Sequence, residues 1–290
     1  MAAAPASAPA SPGSAATAQS AATPGRVGGF GDLLLSEWTK FRSVRSTVWS
    51  LILFVIITIG LTVLITVVTN ATWGTGPQAG TRDAQIVADP VGVILGAGVG
   101  LGQLTICVLG AMVITTEYST GVIRASLLAV PRRIPMLAAK AVVFAVLVLV
   151  LAEIVCYGSF FVGATILHSH VTVSLGDPGV TRAVFGAGLY LTALGLFALG
   201  VGGLIRHTAG AISAVIGIVL VLPILAALLP DNSIDNHIRA YLPSQAGALI
   251  AHTHQQPGDL LGPWQGFVVL CLYAAILLGA AMLVLKRRDA

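Results

Sequence analysis

The 290-residue chain is 56% hydrophobic and only 9% charged, with a mean hydropathy of +0.94. Soluble domains do not sustain apolar runs on that scale, so the composition excludes a soluble globular protein and points to an all-α integral membrane protein. The formal charge of +4 and pI near 9.2 need no nucleic-acid partner; loops that collect Lys and Arg on one side of a membrane account for both.

Residues 1–29 are dominated by Ala, Pro, Ser, Thr and Gly. They lack the basic flank and compact apolar block of a secretory signal, and they have too little apolar surface to offset the entropy of ordering; a disordered cytoplasmic tail is expected. Over residues 30–47 the pattern changes. Phe30, Leu34, Trp38 and Phe41 recur at helical spacing, and Asp32, Ser36, Lys40, Arg42 and Arg45 occupy the other faces. An aromatic-aliphatic stripe beside a basic face, placed just before a span, predicts an amphipathic helix lying in the membrane interface and touching lipid headgroups. The remainder, 48–290, holds six segments of spanning length, at about 48–69, 91–115, 136–167, 183–205, 210–229 and 264–285. Only Arg206, His207 and their neighbours separate the fourth from the fifth, which predicts a tight helical hairpin.

With the amino terminus inside, twelve of the fifteen Lys and Arg fall on the inner side and only Arg82, Arg182 and Arg239 fall outside. Both termini are therefore expected in the cytoplasm. The longest outer loop, about 230–263, carries a weaker apolar stretch at Ala240–Ala251. It is too short to span and suits a re-entrant or surface-lying helix.

Candidate chemistry is sparse. Cys107, Cys156 and Cys271 lie inside apolar runs without metal-ligand spacing. His168 with His170 and His252 with His254 are weak metal signals, because alternate residues of a helix point apart. No Gly-Lys pair exists, so no phosphate-binding GxxxxGK[ST] loop can be present and no cofactor is expected on this chain. Gly92, Gly96 and Gly100 recur every four residues in the second span, with Gly98 and Gly102 one face over. Such rows let helix backbones approach closely in lipid, either within one bundle or at a subunit seam. Glu153 stands near the middle of the third span, where an ionised carboxylate costs about 2.5–3.5 kcal/mol on insertion scales. It must face protein or water, as part of a substrate or proton path or as a bond to a neighbouring helix, with Tyr157 one turn on. Pro223 should kink the fifth span.

The densest charge lies in Glu117–Lys140, which holds Glu117, Arg124, Arg132, Arg133 and Lys140 between two apolar spans. The segment is either a basic loop that orients the protein or a docking surface for a cytoplasmic partner. Here the residues resemble a known family. LLLSEWTKFRSVRSTVWS (Leu33–Ser50), followed by TTEYSTGVIRASLLAVPRRIPMLAAK (Thr115–Lys140), looks like the permease subunit of an ABC-2-type ABC transporter, with SEWTK typical of actinobacterial members. Glu117, Gly121, Pro131 and Lys140 match the family's E-x-x-x-G…P-x-x-x…K segment. The resemblance implies a coupling helix within Tyr118–Val130 that seats on a separate ATPase subunit, through Glu117, Gly121, Arg124, Arg132 and Arg133. It also implies two copies of that ATPase, which binds ATP and Mg, and a second permease copy or paralogue. Export across the bacterial plasma membrane is the function implied. A proton-coupled secondary transporter using Glu153, or a non-transporting membrane anchor or sensor subunit, are the other readings.

Overall fold

The computed structural model describes residues 29–121, 133–228, 233–255 and 259–287. Within them every regular element is helical. Six helices are long and apolar enough to cross a membrane, which makes this a multi-pass membrane protein. Helix α1 (Phe30–Ser43) opens with the Gly29 N–H donating to the Asp32 carboxylate at 2.9 Å. It closes with Lys40 and Arg42 in its last turn, so the charges at both ends oppose the helix dipole. A single extended residue, Val44, separates it from the first span, α2 (Arg45–Ala71). A short helix that the sequence pattern did not suggest, α3 (Ala79–Ala88), precedes the second span, α4 (Pro90–Ser119). The remaining spans are α5 (Arg133–Leu167), α6 (Val180–Ile205), α7 (Thr208–Ala227) and α10 (Pro263–Arg287). Each expected span has a counterpart, and α6 and α7 form the expected hairpin, with only Arg206 and His207 between them.

Helix α6 is the hub. In its most apolar stretch 83% of residues are buried, against 22% for α2, α7 and α10; α2 packs on α4 and α5, while α4, α5, α7 and α10 pack around α6. Its glycines make this possible. Gly195 lies under the Phe144 ring of α5, Gly200 against Leu277 of α10, and Gly202 against Ala111 of α4. No hydrophobic force drives helices together in lipid, so small surfaces that admit close backbone approach decide which faces meet. The same logic turns α2 inside out. Thr58, Thr62 and Thr66, spaced by four, are fully buried, while Ile52, Ile56 and Leu64 are exposed.

The threonine row meets the second glycine row of α4. A Cβ on Gly98 would lie 2.5 Å from the Thr58 carbonyl oxygen, and one on Gly102 would strike the Thr58 hydroxyl. The expected packing row, Gly92, Gly96 and Gly100, does not fill this role among the described residues. Among the described residues, no atom beyond their own helix turn lies within 4 Å of a would-be Cβ on Gly96 or Gly100. Gly92 is small for another reason: the Asp89 carboxylate folds back to cap α4 and accepts its N–H at 3.0 Å, where a Cβ would sit.

At the end of the bundle remote from α1, the stretch read as re-entrant or surface-lying forms α9 (Pro243–Ala248) and a 3₁₀ turn (Leu249–Ala251) wedged between α6 and α10. Ala246 and Ile250 are fully buried there. Thr253 donates to the Asp89 cap at 2.7 Å, and Arg182 donates to the carbonyls of His252 and Thr253 at 2.8 Å, tying this loop to α4 and α6. Before the loop lies α8 (Ser233–Ala240).

In the structure Pro223 sits at a wider turn of α7. It has no N–H for the Val219 carbonyl four residues earlier, and Gly217–Val221 winds as a π-turn just before it. The buried Ser244 of α9 supplies the missing donor, its hydroxyl donating to Val219 O at 3.1 Å. Ser244→Ala should therefore cost about 1–3 kcal/mol. In a Pro223→Ala background, which restores the backbone donor, the same substitution should cost almost nothing. Unfolding of the four proteins in detergent reads the coupling, and equal costs in both backgrounds would show that the serine is not replacing the lost N–H.

Candidate functional site

Four charged residues of the two motifs, Glu37, Lys40, Glu117 and Lys140, meet at the α1 end of the bundle. Lys140, in the second turn of α5 between the small residues Ala139 and Ala141, donates to Glu37 Oε2 at 2.5 Å and Glu117 Oε1 at 2.8 Å. Lys40 of α1 donates to Glu37 Oε1 at 2.8 Å and Glu117 Oε1 at 3.3 Å. The four charges form a closed, neutral ring joining α1, the end of α4 and the start of α5. Glu37 and Lys140 are each 2% exposed and Glu117 9%. Desolvation of such groups costs several kcal/mol each, and the ring offsets it only while its buried members, Glu37, Glu117 and Lys140, are all present. Burial works against the Lys40 charge, but the Glu37 and Glu117 carboxylates outweigh it and raise the ammonium pKa above the ordinary lysine value. Glu117 Oε2 is buried with no hydrogen-bond partner among the described residues.

This placement revises the expected role of Glu117. Its carboxylate is buried and held by two lysines, so it does not stand on the surface ready for a residue of another subunit. Gly121 terminates α4: it adopts φ +72°, a left-handed conformation that suits glycine, and its N–H bonds to Tyr118 O at 3.3 Å. Arg133 begins α5. Arg124, Arg132 and the rest of the expected coupling helix beyond residue 121 lie outside the described residues.

The stripe expected on α1 splits in two. Phe41 is buried against Phe144, with ring centroids 6.3 Å apart, and Glu37 lies beside it on the packed face. Trp38 and Phe30 are each 48% exposed, and Arg42 and Arg45 are exposed as well. Glu37 was missed as a site residue because a lone carboxylate on an amphipathic helix reads as solvated. Its partner lies 103 residues away. At the same end, Arg206 adopts a left-handed conformation (φ 60°) that closes the α6–α7 turn and lays its guanidinium over the Tyr118 ring, 5.1 Å from the centroid.

Beside the ring is a cavity of about 340 Å³ lined by Phe41, Val44, Leu109, Met112 and Val113, with Lys40 and Glu117 in its wall. Glu153 lies apart from this cluster, with its carboxylate against Gly188 of α6. Both its oxygens are buried without a partner among the described residues, so the suggested bond to Tyr157 is not made. The paired histidines separate: His170 stacks on Trp73 and His252 faces Asp89. No three metal-ligating side chains cluster among the described residues. Comparison with known proteins adds no relative: no family model matches the chain, and no curated protein matches it.

Proposed function

We propose that this chain is the membrane-spanning subunit of an ATP-driven exporter of the ABC-2 type, which forms the substrate path and takes its energy from a separate ATPase. One observation carries the reading. The SEWTK segment and the Glu117…Lys140 segment, which resemble that family and are far apart in the chain, are locked together by the Glu37–Lys140–Glu117–Lys40 ring. A push on the loop between α4 and α5 would then move α1, α4 and α5 as one body.

On this reading α1 lies in the inner interface of a bacterial plasma membrane, with Trp38 and Phe30 toward lipid and Arg42 and Arg45 toward headgroups. Both termini are cytoplasmic. Gly121, Arg124, Arg132 and Arg133 belong to the surface that meets the ATPase, of which two copies bind ATP and Mg, and a second permease copy or paralogue completes the assembly. Nucleotide binding drives the switch to the extent that it favours one of the two bundle states over the other.

Reconstitution tests this. Export from liposomes should require the ATPase and ATP, and Arg124→Glu should abolish it while leaving membrane insertion intact. Cargo movement by the chain alone would end the proposal. The Glu153 carboxylate, without a hydrogen-bond partner among the described residues, favours one second reading, a proton-coupled carrier. Glu153→Gln separates the two: nucleotide-dependent export should survive it, whereas transport driven by a proton gradient should disappear.

A further inference from the structure

The cavity beside the charged ring has two unlike walls. On the α1 and α4 sides it is apolar, through Phe41, Leu109, Met112 and Val113. On the α2 side it presents hydroxyls, those of Ser46, Thr47 and Ser50. Spacings of three and four put these residues on one side of the first two turns of α2. None of the three hydroxyls has a hydrogen-bond partner among the described residues. Thr47 is only 6% exposed, yet its hydroxyl is not sealed off as those of Thr58 and Thr62 are. A hydroxyl held without a partner in a cavity wall carries a desolvation cost that a bound polar group removes.

The backbone adds donors at the same place. Val44, the residue before α2, gives the helix no side-chain cap. The Thr47 N–H turns back to Val44 O at 3.1 Å, whereas the N–H groups of Arg45 and Ser46 have no backbone acceptor among the described residues. They stand at the positive end of a 27-residue helix. Lys40 supplies a full charge. Its ammonium carries three N–H groups, two of which reach Glu37 and Glu117, and its side chain is 36% exposed.

We infer that this cavity binds the phosphodiester group of a membrane phospholipid. The Ser46, Thr47 and Ser50 hydroxyls, the open N–H end of α2 and the Lys40 ammonium hold the phosphate. The start of one acyl chain lies against Phe41, Leu109, Met112 and Val113. Glu37 and Glu117 also border the cavity, but Lys40 and Lys140 balance them, so the ring brings no net charge. Hydrogen-bond donors and a helix end without surplus positive charge suit the single charge of a diester better than the higher charge of inorganic phosphate. The apolar wall offers nothing to a free anion, which favours the lipid as the source. The volume of about 340 Å³ takes a phosphate with the first part of a chain, not a whole lipid. The inference needs no ATPase and stands or falls apart from the proposed export function.

The test uses the full chain in detergent while the unfolding midpoint is followed. It is titrated with dioctanoyl phosphatidylglycerol, with dioctanoylglycerol, which keeps the chains without the phosphate, and with inorganic phosphate. Saturable stabilisation by the phospholipid is expected, at an affinity about tenfold or more above that for dioctanoylglycerol, from hydrogen bonds to a charged group. Thr47→Val keeps the side-chain shape and removes one hydroxyl. It should weaken phospholipid binding about tenfold and leave the lipid-free midpoint unchanged or higher, because a partnerless hydroxyl has gone. Should that variant misfold, Ser46→Ala with Ser50→Ala, at an exposed and a half-buried position, serves the same purpose. Equal affinity for dioctanoylglycerol would show that only the chains are bound, and equal or tighter binding of inorganic phosphate would show a site for free anions. Either result, no stabilisation by any of the three, or a phospholipid affinity unchanged in the hydroxyl variants, overturns the inference.

Discussion

Lys140→Met is expected to destabilise the protein by about 3–5 kcal/mol, among the largest losses of any single substitution, because it takes from the buried Glu37 and Glu117 the one buried cation they share. The side chains of Lys140 and Glu37 are each 3% exposed and that of Glu117 11%, so solvent cannot take over the missing interaction. Lys40 touches both carboxylates but is 36% exposed, and Lys40→Ala should cost no more than about 1 kcal/mol. The decisive companion is the triple variant Glu37→Gln, Glu117→Gln, Lys140→Met, which keeps the shapes, removes the three buried charges and leaves only the partly exposed Lys40. It should recover most of the loss, since a buried ion pair contributes little beyond its own desolvation. Unfolding in detergent measures all of these. A Lys140→Met protein as stable as wild type would show that the ring does not hold α1 to the bundle.

Gly110→Leu should be comparably disruptive. A Cβ at Gly110 would run into the Gly195 carbonyl oxygen and lie 3.2 Å from Ala198 Cβ, both on the hub helix α6. A backbone carbonyl cannot rotate away as a side chain can, so α4 and α6 must separate. Overpacking of this kind costs about 1–3 kcal/mol or more. Gly195 offers no slack on its other side, because the Phe144 ring would be 2.8 Å from a Cβ there. Gly100→Leu is the matched control on the same helix. With nothing within 4 Å of its Cβ position, its melting in detergent should be unchanged. If Gly100→Leu instead lowers the molecular mass seen on size exclusion, the Gly92–Gly96–Gly100 face is a contact with another chain.

The contrast between those two glycine rows shows how far the sequence can be read. Spacing by four said that α4 has two small faces. It could not say which one lies against α2, because the deciding feature, the Thr58–Thr62–Thr66 row, looks like part of a uniformly apolar span. Gly92 belongs to neither account, since the Asp89 cap that requires its smallness is a local turn. Pro223 was legible as a break in α7, but the hydroxyl that repairs it comes from α9, whose place in the bundle no periodicity reveals.

Six spans, the helical hairpin at Arg206 and a charge bias toward one side were determined by the sequence alone. Each follows from local composition: about twenty apolar residues can satisfy their backbone in lipid only as a helix, and two residues between spans leave no other turn. The tertiary structure alone decided that Glu37, Lys40, Glu117 and Lys140 are partners rather than surface charges. Pairing across up to 103 positions depends on which helix ends the packing of α6 brings together, and burial then converts four ordinary solvated residues into one joint.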